Sequence, residues 1–287
     1  MERKPIDIPT LQQKKRRGER ITMLTAYDAA WARLVDEAGV DTILVGDSAA
    51  NVVLGYRDTL PVTMDEMLVL TRAVTRGVRW AMVIGDMPFM SYNTDVADAI
   101  RNAGRFVKEG GAVGVKLEGG AGVVDTVRAL VRAGIPTVGH LGLTPQTASM
   151  IGGYRCQGRT AAAARQILDD ARRLEDAGAY LLVLECVPER VAAAIAKRVA
   201  VPVIGIGAGA GVDGQVLVLH DMLGFRDTGA APRFVKRYGD LGDRVTAAVQ
   251  GYCDEVRSGA FPAAEHSFPI ADDEWAAFER GLEDAGR

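Results

Sequence analysis

The amino-acid sequence predicts a parallel α/β fold, and three observations favour a closed (β/α)8 TIM barrel. Apolar runs such as residues 42–45, 81–84 and 181–184 have the length and composition of strands that are buried on both faces. Segments of helical length follow these runs, as expected for repeated strand–helix units. The chain of 287 residues has no linker or break in composition, and roughly 250 residues is typical of one barrel.

The predicted elements alternate along the chain. Thr63 opens a helix whose first turn holds Asp65 and Glu66, where the helix dipole favours acids. Thr94 is the expected N-cap of the following helix, and Gly110 ends that helix. The predicted strands are residues 20–25, 42–45, 81–84, 113–117, 137–139, 181–184, 203–206 and 216–219. The predicted helices are residues 29–38, 63–76, 94–108, 123–133, 160–177, 188–198 and 244–257.

A doubly wound open sheet is the rival architecture. Its dinucleotide-binding motif would have to be the Gly-rich run at residues 205–211, which lacks a following helix with a partner acid. That run either binds phosphate through backbone N–H groups or lets a substrate approach the backbone closely. We therefore expect residues 1–287 to form a single barrel domain with a polar N-terminal extension and a C-terminal helical tail.

Composition and charge limit the classes of function. With 48% hydrophobic residues, 25% charged residues and a formal net charge of −3, the chain gives no reason to expect nucleic acid or a membrane as a partner. The basic run at residues 14–17 is expected to be the solvated end of a first helix. The three cysteines are too widely spaced for a disulfide framework, and the polar N-terminus lacks the apolar core of a signal peptide. A cytoplasmic protein is expected.

Acidic residues end four of the apolar runs. They are Asp47, Asp86, Glu118 and Glu185. In a barrel the carboxyl ends of all strands meet at one face, which carries the active site. Carboxylates gathered there repel one another unless a cation or a proton joins them. Lys116 and His140 belong to the same face, and a set of oxygen ligands favours Mg²⁺ over softer metals.

The types and positions of these residues suggest a separate role for each. Asp47, Asp86 and Glu118 could hold Mg²⁺, and a 2-oxo acid could chelate the ion through its keto and carboxylate oxygens. Lys116 could neutralise the substrate carboxylate. Glu185, on a strand apart from the metal group, is free to act as the general base.

Each of these residues could instead have a purely structural role. Each acid could be the N-cap of the next helix. Lys116 could be only an ion-pair partner of Glu118, and His140 could only hydrogen-bond a loop. Cys186 fits a small buried residue better than a nucleophile, since no His lies beside it in the sequence.

At these residues the chain resembles the ketopantoate hydroxymethyltransferase family, over about residues 21–266. The resemblance is carried by several strings: TAYD at Thr25, LVGDS at Leu44, TLPVT at Thr59, DMPFM at Asp86, VKLEGG at Val115, GHLGLTPQ at Gly139, GGYRCQGR at Gly152, LVLECVP at Leu182, PVIGIGAG at Pro202 and AEHSFP at Ala264. Each string alone is a weak signal, but together they are highly specific.

The resemblance implies roles for individual residues. It implies Asp47, Asp86 and Glu118 as ligands of one Mg²⁺ per subunit, and Glu185 as the proton acceptor that enolises the chelated oxo acid. It also implies a set of oxo-acid contacts, to which His140 is added for its position at a strand end: Asp47, Ser48, Asp86, Lys116 and His140.

The resemblance further implies the reaction and the assembly. A hydroxymethyl group would pass from 5,10-methylenetetrahydrofolate to 3-methyl-2-oxobutanoate, giving 2-dehydropantoate and tetrahydrofolate in pantothenate and coenzyme A biosynthesis. The fold would be a (β/α)8 barrel of the phosphoenolpyruvate/pyruvate-domain type, assembled as a cytoplasmic homodecamer. The sequence does not show how folate is held; Tyr27, Phe89, Tyr92 and Tyr154 are the candidate residues.

Two other classes of function stay open on the residues. One is a Mg²⁺-dependent carbon–carbon lyase of the isocitrate lyase or phosphoenolpyruvate mutase type. The chain has no Cys in a KKCGH-like motif, which argues against the isocitrate lyase branch. The other is a non-catalytic barrel that binds a metabolite.

Overall fold

Eight strands pair in chain order, and the last strand pairs again with the first, so that the sheet closes into a parallel barrel. The chain is seen in a computed structural model that describes residues 3–225 and 232–285. The closed barrel confirms the predicted fold class. The strands are β1 (Ile21–Thr25), β2 (Thr42–Val45), β3 (Met82–Asp86), β4 (Gly114–Glu118), β5 (Thr137–Gly142), β6 (Leu181–Glu185), β7 (Val203–Ile206) and β8 (Gly214–Leu217).

The helices fall into two compact units, Met1–Gly239 and Asp240–Arg287. In the first unit, the described residues form α1 (Ile8–Arg17), α2 (Ala29–Glu37), α3 (Ala49–Val52), α4 (Met64–Gly77), α5 (Val96–Lys108), α6 (Val124–Arg132), α7 (Ala161–Asp176), α8 (Glu189–Ala196) and α9 (Leu219–Met222). The second unit contains α10 (Leu241–Ser258) and α11 (Asp272–Ala285). The expectation of a single domain with a helical tail stays a prediction. None of the helices in the described part of the chain is long and apolar enough to cross a lipid bilayer.

Side-chain caps fix where several helices begin. Thr63 and Glu66 form a reciprocal capping box at the start of α4, as the sequence pattern predicts. The prediction that Thr94 caps α5 is wrong by one residue: Asp95 has the extended backbone of an N-cap, and its side chain accepts the Asp98 N–H. Both residue types cap well, so sequence preference alone does not separate two adjacent candidates.

The eighth strand lies two residues earlier than the predicted range 216–219. Gly214 pairs with Ile21 of β1, and a Cβ at Gly214 would lie 2.3 Å from the Ile21 carbonyl oxygen. Strand β8 therefore begins at a glycine because the neighbouring backbone leaves no room for a side chain. Hydrophobic pattern alone does not reveal such a contact.

Two apolar cores lie on the two faces of the sheet. The larger core packs the outward side chains of the strands, such as Val115 and Leu117, against the helices. The smaller core fills the barrel with inward side chains, among them Met82, Ile84 and Val183. Because side chains alternate along a strand, the inward positions of β3 run from Met82 through Ile84 to Asp86. The barrel interior thus changes from apolar at the amino ends of the strands to charged at the carboxyl ends.

Helix α1 belongs to the interior core. Its Leu11 is fully buried and packs with that core. Lys14 pairs with Asp41 at 2.5 Å, and Lys15 pairs with Asp213 at 2.8 Å while also donating to two backbone carbonyls. The expectation that residues 14–17 are simply solvated is therefore wrong for the two lysines. These long-range pairs connect α1 to chain segments far away in sequence, which a local pattern does not show.

We expect Leu11→Ala to lower the free energy of unfolding by about 2–5 kcal/mol, because it opens a cavity where α1 contacts the interior core. Urea unfolding followed by circular dichroism measures the change. Leu34→Ala on α2 is the control: Leu34 is 56% exposed, and its loss should cost less than about 0.5 kcal/mol. Equal effects of the two substitutions would show that α1 does not support the barrel.

Candidate active site

Strand register brings the predicted site residues together at the carboxyl face of the barrel. Asp86 pairs with Lys116 across β3 and β4, and Glu118 pairs with His140 across β4 and β5. Glu185 lies opposite Gly142, at the ends of β6 and β5. Gly142 has a φ of 93°, and a Cβ there would lie 2.2 Å from the Glu185 carbonyl oxygen. Glycine at this position is therefore what allows β5 to run so close beside Glu185.

A buried ammonium group lies at the centre of these residues. The Lys116 Nζ atom is 2.8 Å from Asp86 Oδ1 and 3.6 Å from Glu118 Oε1. It also lies 3.3 Å from His140 Nδ1. Asp86, Lys116, Glu118 and His140 are each between 1% and 4% exposed, so solvent screens these interactions weakly.

His140 links this group to the predicted general base. Its Nδ1 atom is 3.2 Å from Glu118 Oε1, and its Nε2 atom is 3.3 Å from Glu185 Oε2. The Glu185 side chain is 16% exposed, more than the other acids of the cluster. His140 is therefore an ion-pair partner on both sides, rather than a residue that only hydrogen-bonds a loop.

Asp47 lies two residues beyond the end of β2 and is held from two directions. Its backbone N–H donates to Asp86 Oδ2 at 2.9 Å. Its own carboxylate accepts a hydrogen bond of 2.9 Å from the Gln146 side-chain amide. Gln146 was not a predicted site residue, although it ends the string GHLGLTPQ. It follows Pro145 in a short 3-10 helix (Pro145–Thr147) rather than a strand end, so the strand-end rule does not select it.

The charges of the cluster shift the ionisation of its members. Burial, with repulsion from Asp86 and Glu118, raises the pKa of Asp47 well above its ordinary value. Burial also raises the pKa of Asp86, although Lys116 opposes this. Burial would raise the pKa of Glu118 too, but His140 and Lys116 outweigh it, and that pKa is lowered.

The two cationic partners are shifted toward their charged forms. Burial opposes the charge of Lys116, but Asp86, Glu118 and Asp47 outweigh it and raise its pKa. Burial and Lys116 oppose protonation of His140, yet Glu118 and Glu185 raise the pKa of His140 to about 9. Near neutral pH the cluster therefore contains the Lys116 ammonium and the His140 imidazolium beside the Glu118 carboxylate.

A cavity of about 620 Å³ opens at this face, and all the predicted site residues line it. Volumes of roughly 300–1,000 Å³ are typical of small-molecule sites. Of the aromatic residues considered for a second substrate, Tyr154 lines the cavity and is 64% exposed. Tyr27 is buried, and its hydroxyl lies 2.8 Å from Ser48 Oγ, so it orients a cavity-lining residue. Tyr92 is also buried, and its hydroxyl donates to Gln146.

The structure also bears on the capping role considered for the four acids and on the role of Cys186. The four acids cap no helix: the N-cap residues of α3, α5, α6 and α8 are Ser48, Asp95, Val123 and Pro188. Cys186 has a left-handed backbone (φ 47°), and burial raises the pKa of its thiol to about 12. A thiol that stays protonated is a poor nucleophile.

Sequence comparisons show which proteins this chain is similar to. A model of the ketopantoate hydroxymethyltransferase family matches residues 5–264. The 3-methyl-2-oxobutanoate hydroxymethyltransferase of Moorella thermoacetica is 57% identical over 93% of this chain and 99% of its own length.

Solved structures share the fold at low sequence identity. A phosphonopyruvate hydrolase in complex with oxalate and Mg++ superposes with a TM-score of 0.59 at 14% identity, over 98% of this chain and 99% of its own. A 2,3-dimethylmalate lyase, described as a member of the PEP mutase/isocitrate lyase superfamily, gives 0.57 at 16% identity, over 97% of each chain.

The barrel and the charged cluster at its carboxyl face are those of a (β/α)8-barrel enzyme. The family match over residues 5–264 and the sequence identity to relatives then identify the family of this enzyme. The chain belongs to the ketopantoate hydroxymethyltransferase family.

We expect Lys116→Met to lower the free energy of unfolding by about 3–5 kcal/mol near neutral pH, because it leaves Asp86 and Glu118 buried without their cation. Urea unfolding in the presence of a chelator measures this loss. Lys108→Met, at an exposed position on α5, is the matched control and should have little effect. Equal stability of the two variants would contradict a charge-balancing role for Lys116.

Proposed function

We propose that the chain transfers a hydroxymethyl group from 5,10-methylenetetrahydrofolate to 3-methyl-2-oxobutanoate. The products are 2-dehydropantoate and tetrahydrofolate, and the reaction belongs to pantothenate and coenzyme A biosynthesis. The observation that carries the proposal is the position of Glu185: a partly exposed carboxylate in the cavity wall, 3.3 Å from a buried histidine, beside a cluster of buried acids. Family membership supplies the reaction class.

The residues present fit a magnesium ion. Asp86 Oδ1 and Glu118 Oε1 are buried oxygens that accept no hydrogen bond, although Lys116 lies near both. Among the described residues no group of three or more His, Cys, Asp or Glu side chains is already gathered around one point. Hard oxygen donors and an excess of carboxylates nevertheless suit Mg²⁺, which keeps several waters and needs few protein ligands.

We assign Asp47, Asp86 and Glu118 to hold one Mg²⁺ per subunit, directly or through bound water. When bound, the ion would act as a Lewis acid toward the keto and carboxylate oxygens of the oxo acid. The phosphonopyruvate hydrolase that shares the fold was solved with oxalate and Mg++. At 14% identity that similarity extends to the fold, so the assignment depends on the acids of this chain.

The other side chains of the site have different proposed roles. Lys116 and Ser48 contact the oxo acid, and the ammonium charge of Lys116 stabilises the negative charge of its oxygens. The Glu185 carboxylate removes the proton from C3. His140, whose Nε2 atom lies 3.3 Å from Glu185 Oε2, orients the Glu185 carboxylate toward the cavity. C3 then forms a bond with the methylene carbon that the folate delivers as an iminium. The bond between that carbon and the folate nitrogen breaks, water supplies the hydroxyl group to the carbon and a hydrogen to the nitrogen, and tetrahydrofolate leaves.

The cavity has room for two substrates. An oxo acid of eight heavy atoms occupies only part of about 620 Å³. Tyr154 and Phe234, which line the same cavity, offer aromatic surface to a second substrate. We therefore propose that the folate enters beside these residues. We further propose, from the family resemblance, a homodecamer in the cytoplasm.

The rival proposal is a Mg²⁺-dependent carbon–carbon lyase, which the shared fold with a 2,3-dimethylmalate lyase brings into view. The 57% identity to a hydroxymethyltransferase outweighs a 16% identity to a lyase. Cleavage of isocitrate or 2-methylisocitrate by the purified protein would favour the lyase. Binding of the oxo acid without any proton exchange would favour a non-catalytic barrel.

We expect Glu185→Gln to bind 3-methyl-2-oxobutanoate but to exchange its C3 proton roughly 10²–10⁴-fold more slowly, because the variant lacks the base. Proton NMR of the oxo acid in D₂O with Mg²⁺, with and without methylenetetrahydrofolate, measures the rate. Glu189→Gln, at an exposed position at the start of α8, should exchange at the wild-type rate. Normal exchange by Glu185→Gln would remove this residue from the base role.

We expect Asp86→Ala to raise the Mg²⁺ concentration needed for half-maximal exchange by more than roughly 100-fold, since loss of even an outer-shell partner weakens metal affinity 10- to 100-fold. A magnesium titration of the exchange rate gives this value. The control is Asp125→Ala on α6, where the carboxylate is exposed and pairs with Arg128 at 2.6 Å. An unchanged magnesium requirement in Asp86→Ala would contradict the ligand assignment.

A further inference from the structure

Gln146 makes an unusually complete set of buried hydrogen bonds beside the acid cluster. Its side chain is buried, with 3% of the residue exposed. The amide Nε2 atom donates to Asp47 Oδ2 at 2.9 Å and to the Met87 carbonyl at 3.0 Å. The backbone N–H of the same residue donates to Glu118 Oε2 at 3.1 Å. One residue of the β5–α7 connection thus contacts carboxylates that follow β2 and end β4.

Tyr92 fixes which way the Gln146 amide points. The Tyr92 hydroxyl accepts the Glu118 backbone N–H at 3.2 Å and donates to Gln146 Oε1 at 2.6 Å. With the amide oxygen held by this donor, its NH₂ group faces the oxygens of Asp47 and Met87. The opposite orientation would place the amide oxygen against two acceptors, which is unfavourable.

The arrangement has a direct consequence for the acids. Asp47 is not part of a strand, so the sheet alone does not fix its carboxylate. Gln146 donates to Asp47 Oδ2 and Glu118 Oε2, whereas the other oxygen of Glu118, Oε1, faces Lys116 and His140 without a well-aligned hydrogen bond. Donors on one oxygen of a carboxylate orient the other oxygen, as the outer partners of metal ligands commonly do.

We infer that Gln146, oriented by Tyr92, is a positioning residue that holds Asp47 and Glu118 in place for a divalent cation. The inference rests on the metal assignment of the proposed function. It adds two residues that act through the acids and do not touch the substrate. A purely structural role for Gln146 would instead affect folding and leave cation affinity alone.

The test compares cation affinity with stability in matched variants. Gln146→Met keeps the approximate volume of the side chain and removes the amide, and Tyr92→Phe removes only the hydroxyl that orients it. Gln166→Met is the control: Gln166 also donates an amide hydrogen bond to a carboxylate, that of Asp170 on α7, but Asp170, unlike Asp47 and Glu118, does not line the cavity. Isothermal titration with Mn²⁺ gives the dissociation constant, and thermal unfolding with a chelator gives the metal-free stability.

We expect the Mn²⁺ dissociation constant of Gln146→Met to rise roughly 10- to 100-fold, as for other outer-shell partners. Tyr92→Phe should shift it in the same direction by less, and Gln166→Met should leave it unchanged. Wild-type affinity in a folded Gln146→Met, or in Tyr92→Phe should Gln146→Met not fold, would overturn the inference.

The outcomes also separate the inference from the proposed function. Wild-type protein that binds no Mn²⁺ would overturn both the metal assignment and the positioning role. Tight binding to the wild type with equal binding to Gln146→Met would overturn the positioning role alone. Tight binding without proton exchange in the oxo acid would leave the positioning role supported and remove the transferase proposal.

Discussion

The buried charge of Lys116 is the constraint on which the site depends. Burying an isolated ion costs several kcal/mol, so an ammonium group inside the barrel requires carboxylates around it, and those carboxylates require the ammonium. The register of β3 with β4 places Asp86 opposite Lys116. Glu118 lies two residues further along β4, on the same side of the strand as Lys116. The cluster is therefore a set of mutually dependent charges whose removal one at a time leaves a partner unpaired.

The barrel supports this cluster by dividing its interior. Leu11 of α1 and the inward apolar side chains fill the half nearest the amino ends of the strands. Charged side chains occupy the other half, where the cavity opens. Apolar packing below the cluster excludes water from one side of it, which strengthens each charge interaction there. The same packing keeps the strand ends, and hence the carboxylates, at fixed separations.

His140 joins the buried charges to the accessible one. Glu118 on one side of its ring is nearly inaccessible, whereas Glu185 on the other side faces the cavity. The imidazole of His140 therefore connects the buried acids to Glu185. Gln146 and Tyr92 form a second connection, made of neutral groups, between the acids of different strands. The cations Lys116 and His140 thus balance the charge of the acids, whereas the neutral side chains of Gln146 and Tyr92 connect the acids by hydrogen bonds.

The sequence alone determined the barrel and the identities of its charged residues, because both depend on local pattern: apolar runs of strand length, most of them followed by a helix, with an acid where four of the runs end. The sequence did not show which residues lie opposite one another in the sheet, since the pairing of Glu118 with His140 depends on how two strands align in space. For the same reason the lysines of α1 and the glycine start of β8 were misassigned. The α5 cap was missed by one residue because Thr94 and Asp95 are both good capping residues. Gln146 lies in a three-residue 3-10 helix between β5 and α7, which is too short for periodicity to mark a functional side chain. Only the tertiary structure decided that its amide meets Asp47, 99 residues away along the chain, because that contact exists only once the strands have closed into a barrel.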